Sequence, residues 1–327
     1  MGALQFAKNG NYKKFYDNLK IVGKKEKKSP LLMFIDASLA VFITGSGLSD
    51  YLNYKFYKKS WKERKTYATI GYQADIYKYA ARDPEGLLNN KINFLKNNQD
   101  LTKRDYFDPK DDVEKMKDFL DKHKEFVIKP VNGLGGTDVK KMKKSDIQNI
   151  NEFYKHLVDK NMFLEELIVQ DKSWGKISPN SINTIRVMTS NVNGEIEIFC
   201  MIARIGNGIN LADNFHQGGT GVFIDVNKGI LKGNATNKDL EEFEVHPISK
   251  IKFDNYKIPY FDEIKELCTK AAARFEKTNV IGWDIAITEK GPLIVEGNNG
   301  PGFDLVQVVL NKGTKYMLEK IDNKLVK

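Results

Sequence analysis

GWDIAITEKGPLIVEGNNGPG, residues 282–302, is the stretch on which the fold turns. Two apolar runs, VIGWDIAIT (280–288) and PLIVEGN (292–298), flank Glu289-Lys290-Gly291, and that pattern reads as a β-hairpin. Side chains two apart on a strand face the same side, so Glu296 and Asn298 point together and Asp284 can face them across the hairpin. Two carboxylates and an amide are hard oxygen ligands of the kind Mg²⁺ prefers, with room left for waters and phosphates. The apolar neighbours Ile285, Ile287, Leu293, Ile294 and Val295 would bury these acids, and buried carboxylates without a cation or partner are costly. The plainer alternative is a solvent-facing hairpin with acids at its end.

Upstream, TIRVMTS (184–190), EIEIFCMIARIG (195–206), GVFIDV (221–226) and GILKGN (229–234) read as successive antiparallel strands joined by Asn-Gly and Asn-Lys-Gly turns. Asn183 and Arg186 sit at the first of these and Arg204 near the end of the second; guanidinium groups there could grip phosphate oxygens in a forked, two-donor geometry. Asn214, His216, Gln217, Gly218 and Gly219 follow in ADNFHQGG (212–219), although a lone histidine is more often structural than catalytic.

Further upstream, FVIKP (126–130) reads as a strand with VKKM (139–142) as its hairpin partner. Between them Gly133, Gly135, Gly136 and Thr137 free the backbone to wrap an anion, beside the point charge of Lys129. An ordinary hairpin turn would look much the same. No Gly-Lys-Ser/Thr follows, which excludes a P-loop, and strand rather than helix comes next, which excludes a dinucleotide fingerprint. MFLEELIV (162–169) is a further strand, on which Glu165 and Glu166 are either exposed end charges or neighbours of backbone groups that pair with a flat base.

Helical patterns fill the remainder: 87–98, 108–123, 145–160 with Ser145 as N-cap, 260–278, and the tail from Asp304. Residues 1–86 are mostly helical, broken at Gly45-Ser46-Gly47 and turned at Asp83-Pro84-Glu85-Gly86. The sum is an α+β chain with two sheets and a helical preface.

The 327 residues are 41% apolar, too long and too hydrophobic for a disordered tail. Cys200 and Cys268 cannot form a disulfide scaffold and suit a reducing compartment. With one cysteine in an apolar strand and one in a helix, and no Ser or Cys motif beside a histidine, nucleophilic catalysis is disfavoured. The net charge of +9 lies wholly within residues 1–65, which hold 14 Lys and Arg against 5 Asp and Glu. A basic segment carrying Tyr51, Tyr54, Phe56, Tyr57 and Trp61 could meet a polyanion, an anionic membrane or a charged substrate; a solvated lysine face is the bland reading. No nucleic-acid motif accompanies the charge, so nucleic acid is not expected. The most apolar stretch, Leu31–Ile43, carries Asp36 and is too short to span a bilayer.

Taken in order, Lys91, Lys129 before the glycine loop, the Glu-Glu strand, Asn183-x-x-Arg186, Asn214-x-His216-x-Gly218-Gly219, Asp284 and Glu296-Gly-Asn298-Asn-Gly-Pro-Gly resemble the ATP-grasp superfamily over roughly residues 87–305. With the helical preface and His246-Pro247, the layout is most similar to the sugar-transfer-associated branch. The resemblance implies an ATP-grasp fold: a basic N-terminal region (1–86), a small lobe with the glycine loop (87–168) and a C-terminal lobe with the metal site (169–327). It implies that Lys91 and Lys129 contact the α- and β-phosphates while the loop Gly133–Thr137 closes over them. It further implies that Glu165 and Leu167, with Glu166 nearby, offer backbone bonds to adenine. Arg186, Arg204 and His216 would be catalytic, and Asn183, Asn214, Gln217, Gly218 and Gly219 would face substrate. Asp284, Glu296 and Asn298 would hold two Mg²⁺ ions (Mn²⁺ being an alternative), with Glu296 bridging. Asn90-Lys91 stands where the family commonly has Asp-Lys.

The activity implied is ATP-dependent carboxylate–amine ligation through an acyl phosphate, cytoplasmic or at the inner face of the membrane, in cell-surface polysaccharide biosynthesis. Its partners would be a small amine and a small carboxylate, with glycan- or lipid-linked forms and a peripheral membrane contact as variants. A kinase on the same fold, phosphorylating a hydroxyl group, and a non-catalytic nucleotide- or glycan-binding module are the alternatives.

Overall fold

The alternating runs become strands in the computed structural model, which describes residues 11–132, 139–208, 215 and 218–325. A four-stranded sheet holds β1 (Tyr106–Phe107), β2 (Glu125–Pro130), β3 (Lys140–Lys143) and β4 (Met162–Glu166) in the order β1-β4-β2-β3. A seven-stranded sheet holds β5 (Thr184–Val192), β6 (Glu195–Ile205), β7 (Thr220–Asp225), β8 (Ile230–Asn237), β9 (Glu242–Phe243), β10 (Val280–Thr288) and β11 (Gly291–Asn299) in the order β11-β10-β5-β6-β7-β8-β9. Neighbours in both sheets run antiparallel, and helices are segregated between them, as an α+β chain requires.

The large sheet is buried on both faces because its strands are apolar at both alternating sets of positions. Ile185, Val187, Met201, Ala203, Ile281 and Trp283 face one core, closed by the helix Phe261–Arg274 through Ile264, Cys268 and Ala271. Met188, Cys200, Ile202 and Val280 face the other, closed by the N-terminal helices and by Asp304–Leu310 and Lys315–Leu325. The small sheet has its own core of Phe107, Met116, Phe119, Phe126, Ile128, Leu157 and Leu164.

One short helix, Lys91–Asn97, is keyed into both sheets. Phe94 stacks against Phe275 and Trp283 in the large core, while Ile92 and Leu95 pack with Val131 and Phe163 on the small sheet. Leu88 and Leu101 also belong to the large core, so the chain before Tyr106 packs on both sheets.

Some elements are shorter than the sequence suggests, and capping explains why. The helix expected at 145–160 begins at Ile150, because Asn149 accepts from Asn151 N–H and Glu152 N–H, while Lys144–Asp146 form a 3₁₀ turn. The helix expected at 108–123 begins at Val113, behind an Asp112 cap that takes Lys115 N–H. β4 stops at Glu166, and the strand expected over 162–169 gives way to an unpaired link, 167–169, between the two sheets.

In the N-terminal region Gly45 ends the helix Pro30–Thr44 with φ +66°, the left-handed cap that the Gly-Ser-Gly break suggests. The aromatics there do not present themselves to a polyanion. Tyr51, Tyr54, Phe56 and Tyr57 are core residues, and Arg64 stacks on Trp61 at 4.4 Å while gripping both oxygens of Asp36 at 2.8 Å. The aromatic content of residues 51–57 reflects packing, while most of the lysines around it stay exposed. Among the described residues no helix is long and apolar enough to cross a membrane.

Candidate functional site

Strand register assembles the site. Arg186 on β5, Asp284 on β10 and Glu296 on β11 are direct cross-strand partners in one row, with Gly282 and Asn298 paired two residues further along. All face the side of the sheet covered by the N-terminal helices, since Trp283 and Ile285 take the opposite side. Arg204 joins from β6. Asp284, buried, accepts from Arg186 Nε at 2.5 Å and Nη2 at 3.1 Å, and from Arg204 Nη1 at 2.8 Å. Gly282 makes room for this: a Cβ there would lie 2.6 Å from Pro301 Cβ and 3.2 Å from Arg186 Cδ. The end of β11 and the turn after it are seated on the helix Ile70–Ala80 and its cap, with Tyr77 Oη donating to Pro301 O at 2.7 Å and Asn299 Nδ2 donating to Ala81 O at 3.0 Å.

The two carboxyls of the row are driven apart in acidity. Burial opposes the charge of Asp284, but the Arg186 and Arg204 guanidiniums outweigh it and hold this carboxyl well below the usual range. Burial and then the Asp284 charge push Glu296 upward, against the pull of Arg186 and Lys91. A half-buried glutamate that resists ionising beside another carboxylate calls for a cation, and the donors on offer are all oxygen. Asp284, Glu296 and Asn298 therefore fit Mg²⁺ in chemistry. Replacing Asp284 by Asn is expected to lower the Glu296 pKa, because it removes the opposing charge and frees two guanidiniums; ¹³C NMR titration of the glutamate carboxyl reads this, and no change would mean the two carboxyls do not interact.

Two lysines come from the small sheet and the bridging helix. Lys129 and Glu165 form an ion pair on the small-sheet face that carries Phe163 and Val131. Lys91, at the first turn of the bridging helix, is half-buried; burial lowers its pKa first, Glu296 raises it, and Lys129 lowers it further. One ammonium thus feels both Glu296 of the large sheet and the Lys129–Glu165 ion pair of the small one. More than a hundred residues separate Glu296 from Lys129 and Glu165 in the sequence, and the fold brings all three within the electrostatic reach of Lys91.

Sequence reasoning missed Arg104. This buried residue ion-pairs with Glu165 Oε1 at 2.5 Å through Nη1, and its Nη2 donates at 2.9 Å to both Ile294 O and Val295 O, immediately before Glu296. It is a strut from the small sheet to the edge strand that carries the metal-type ligands. Its neighbour Lys103 donates to Pro292 O at 3.2 Å. The stretch KRD (103–105) looks like solvated charge; the available signal is that it immediately precedes the apolar pair of β1.

Other expected residues fall differently. Glu165 is neither an exposed strand-end charge nor a backbone donor to a base. It is buried on an interior strand paired on both sides, and its carboxyl, although opposed by burial, is held low by Arg104 and Lys129. Glu166 points the other way: its backbone and carboxylate both bond Asp105, which His123 also approaches at 3.0 Å. Leu167 lies in the unpaired link between the sheets. Asn183 is fully buried, its amide engaged with Gly206 N at 3.2 Å and with the carbonyls of Trp174 and Ser178, so it orders the turn before β5 rather than facing substrate. Gly218 has φ +97°, and Gly219 leads into β7. Gly133, Gly135, Gly136, Thr137, Asn214, His216 and Gln217 lie outside the described residues. Cys200 and Cys268 are buried and free, with burial pushing the Cys200 thiol up to about 12, which suits neither for nucleophilic work.

The family described as sugar-transfer associated ATP-grasp matches residues 76–323. No curated protein matches the chain. Among solved structures, the ATP-grasp ligase PsnB complexed with a phosphomimetic variant of minimal precursor, Mg and ADP is 14% identical, with a TM-score of 0.44 over 76% of this chain and 61% of that one. D-alanine–D-alanine ligase from Helicobacter pylori is 13% identical, with a TM-score of 0.41 over 73% and 61%. N5-carboxyaminoimidazole ribonucleotide synthetase from Thermotoga maritima is 13% identical, with a TM-score of 0.42 over 72% and 49%. The chain therefore spans about half to three-fifths of the length of these relatives.

Proposed function

The chain belongs to the sugar-transfer associated ATP-grasp family, and from its site we propose that it is an ATP-dependent ligase that joins a carboxylate to an amine through an acyl phosphate. The observation that carries this reading is Lys91, which stands in the fields of both Glu296 and the Lys129–Glu165 pair. A cationic cradle and an acidic row across one cleft are what a triphosphate with its divalent counter-ions needs.

In this reading Lys91 and Lys129 bind the α- and β-phosphates, the segment Gly133–Thr137 covers them, and the unpaired backbone at Leu167 meets adenine. Asp284, Glu296 and Asn298 would hold two Mg²⁺ ions, which neutralise the phosphate charge when bound. Arg186 and Arg204, already parked on Asp284, would turn to the same phosphates, and a phosphate oxygen that competes for their donors would release carboxylate oxygens. His216 would act beside the arginines in catalysis, and Asn214, Gln217, Gly218 and Gly219 would face substrate.

The chemistry follows from charge. A carboxylate resists attack by an amine because its oxygen is a poor leaving group. Transfer of the γ-phosphoryl group to that oxygen breaks the bond to ADP and makes an acyl phosphate. The amine then attacks the carbonyl carbon, inorganic phosphate departs with the electron pair of the C–O bond, and the nitrogen sheds a proton. Positioning and neutralisation dominate such a transfer, which fits a site rich in Lys, Arg and carboxylates with no exposed thiol among the described residues. The family name supports a sugar-containing substrate; we add an amino acid as the group joined to it, in cell-surface polysaccharide biosynthesis on the cytoplasmic side.

Phosphate release from Mg–ATP, measured across panels of amino acids and sugar acids, tests this. Release that requires an amine and a carboxylate together is expected. A phosphorylated product formed without any amine would replace ligation by kinase chemistry.

A further inference from the structure

The N-terminal helices carry a second surface that the ligase reading does not use. The helix Pro30–Thr44 sends Met33, Ala37, Ala40 and Val41 into the core. Its opposite side presents Leu31, Leu32, Ile35, Leu39, Phe42 and Ile43 to solvent, with Phe42 at 73%, Leu32 at 65% and Leu31 at 59% exposure. At 100° per residue these six side chains fall within an arc of about 120°, a continuous apolar stripe along the helix. The one charge on the helix, Asp36, is turned aside into Arg64 and Tyr51. Contiguous exposed apolar surface is what marks interaction sites on folded chains.

Charge says what covers it. Lys13, Lys14, Lys20, Lys24, Lys25, Lys27 and Lys28 on the adjoining helix and turn are all exposed, against only Asp17 and Glu26 in the same stretch. The net charge of the whole chain resides in this region, while the lobes are balanced. An apolar helix face beside a lysine cluster is complementary to an anionic lipid surface, where side chains enter the acyl boundary and ammonium groups meet headgroups. With 15 residues the helix is about 22 Å long, short of the roughly 30 Å hydrocarbon core, so it can lie in the interface but not cross. We propose that the Leu31–Ile43 face and the lysines before it form a peripheral docking surface for an anionic bilayer. The Arg186–Asp284–Glu296 row lies on the same side of the large sheet as this helical layer.

Vesicle sedimentation tests the proposal without nucleotide, so its outcome is independent of the ligase reading. The full chain is expected to bind phosphatidylcholine vesicles containing about 30% phosphatidylglycerol, to bind pure phosphatidylcholine at least tenfold more weakly, and to lose at least tenfold in affinity between about 0.1 and 0.5 M salt. Leu32→Ser with Phe42→Ser should cost tenfold or more while thermal unfolding stays unchanged, because both side chains are exposed. Lys24→Glu with Lys25→Glu should abolish the preference for phosphatidylglycerol. Absence of vesicle binding by the full chain would overturn the proposal. So would equal binding to neutral vesicles, preferential binding to a soluble acidic polysaccharide, or a dimer by sedimentation that the Leu32/Phe42 variant dissociates.

Discussion

Glu296→Gln is expected to lower amine-dependent phosphate release by at least about 100-fold, since removing even a partner behind a metal ligand costs roughly 10–100-fold. The amide has the same shape, and the group it replaces is one whose ionisation is opposed by burial and by the neighbouring Asp284 charge. Folding should therefore be unharmed, with a melting temperature equal to or above that of the parent above neutral pH. The sign follows from linkage: a carboxyl with a raised folded-state pKa contributes its stability in full below its unfolded value and loses it as pH rises through the folded one. The variant removes that loss. A cation restores the balance in the parent, so Mg²⁺ should raise the parent's melting temperature more than the variant's. Near-normal turnover by Glu296→Gln would end the assignment of Asp284, Glu296 and Asn298 to metal.

Arg104→Met should be the most destabilising single change near the cleft. It leaves Glu165 buried with Lys129 as its remaining hydrogen-bonded partner, and leaves the carbonyls of Ile294 and Val295 without their donor. Breaking a buried ion pair from one side costs about 3–5 kcal/mol. Urea unfolding reads this as a shift of midpoint at unchanged slope. Arg104→Lys should not rescue it, because a single ammonium cannot serve a carboxylate and two carbonyls at once. A cost below about 1 kcal/mol would show that the strut carries no load.

The same pair of residues shows where sequence reading succeeds and where it stops. Strand alternation places Asp284, Glu296 and Asn298 on one face, and register confirms the row, because period two is a property of the backbone and needs no tertiary knowledge. The same rule cannot tell which face of β4 is buried. Glu165 and Glu166 are adjacent in sequence, yet one is enclosed by Arg104 and Lys129 and the other bonds Asp105 at the surface. Arg104 was invisible for the same reason, since its partners come from chain segments 61 and about 190 residues away. The apolar run Leu31–Ile43 reads as too short for a membrane span, which is correct, but its periodicity alone does not announce that half of it remains outside the core. Helix starts moved because Asn149 and Asp112 are the side chains that close the N-terminal turns, and several candidate caps compete in those polar stretches.

Lys91–Asn97 has a mechanical consequence. A swing of the small sheet about the link 167–169 would have to withdraw Ile92 and Leu95 from one core or Phe94 from the other, against the grain of close packing. The helix acts as a peg through two boards. A change in the gap between them would therefore cost core packing, and Phe94→Ala, by loosening the peg, is expected to lower that cost.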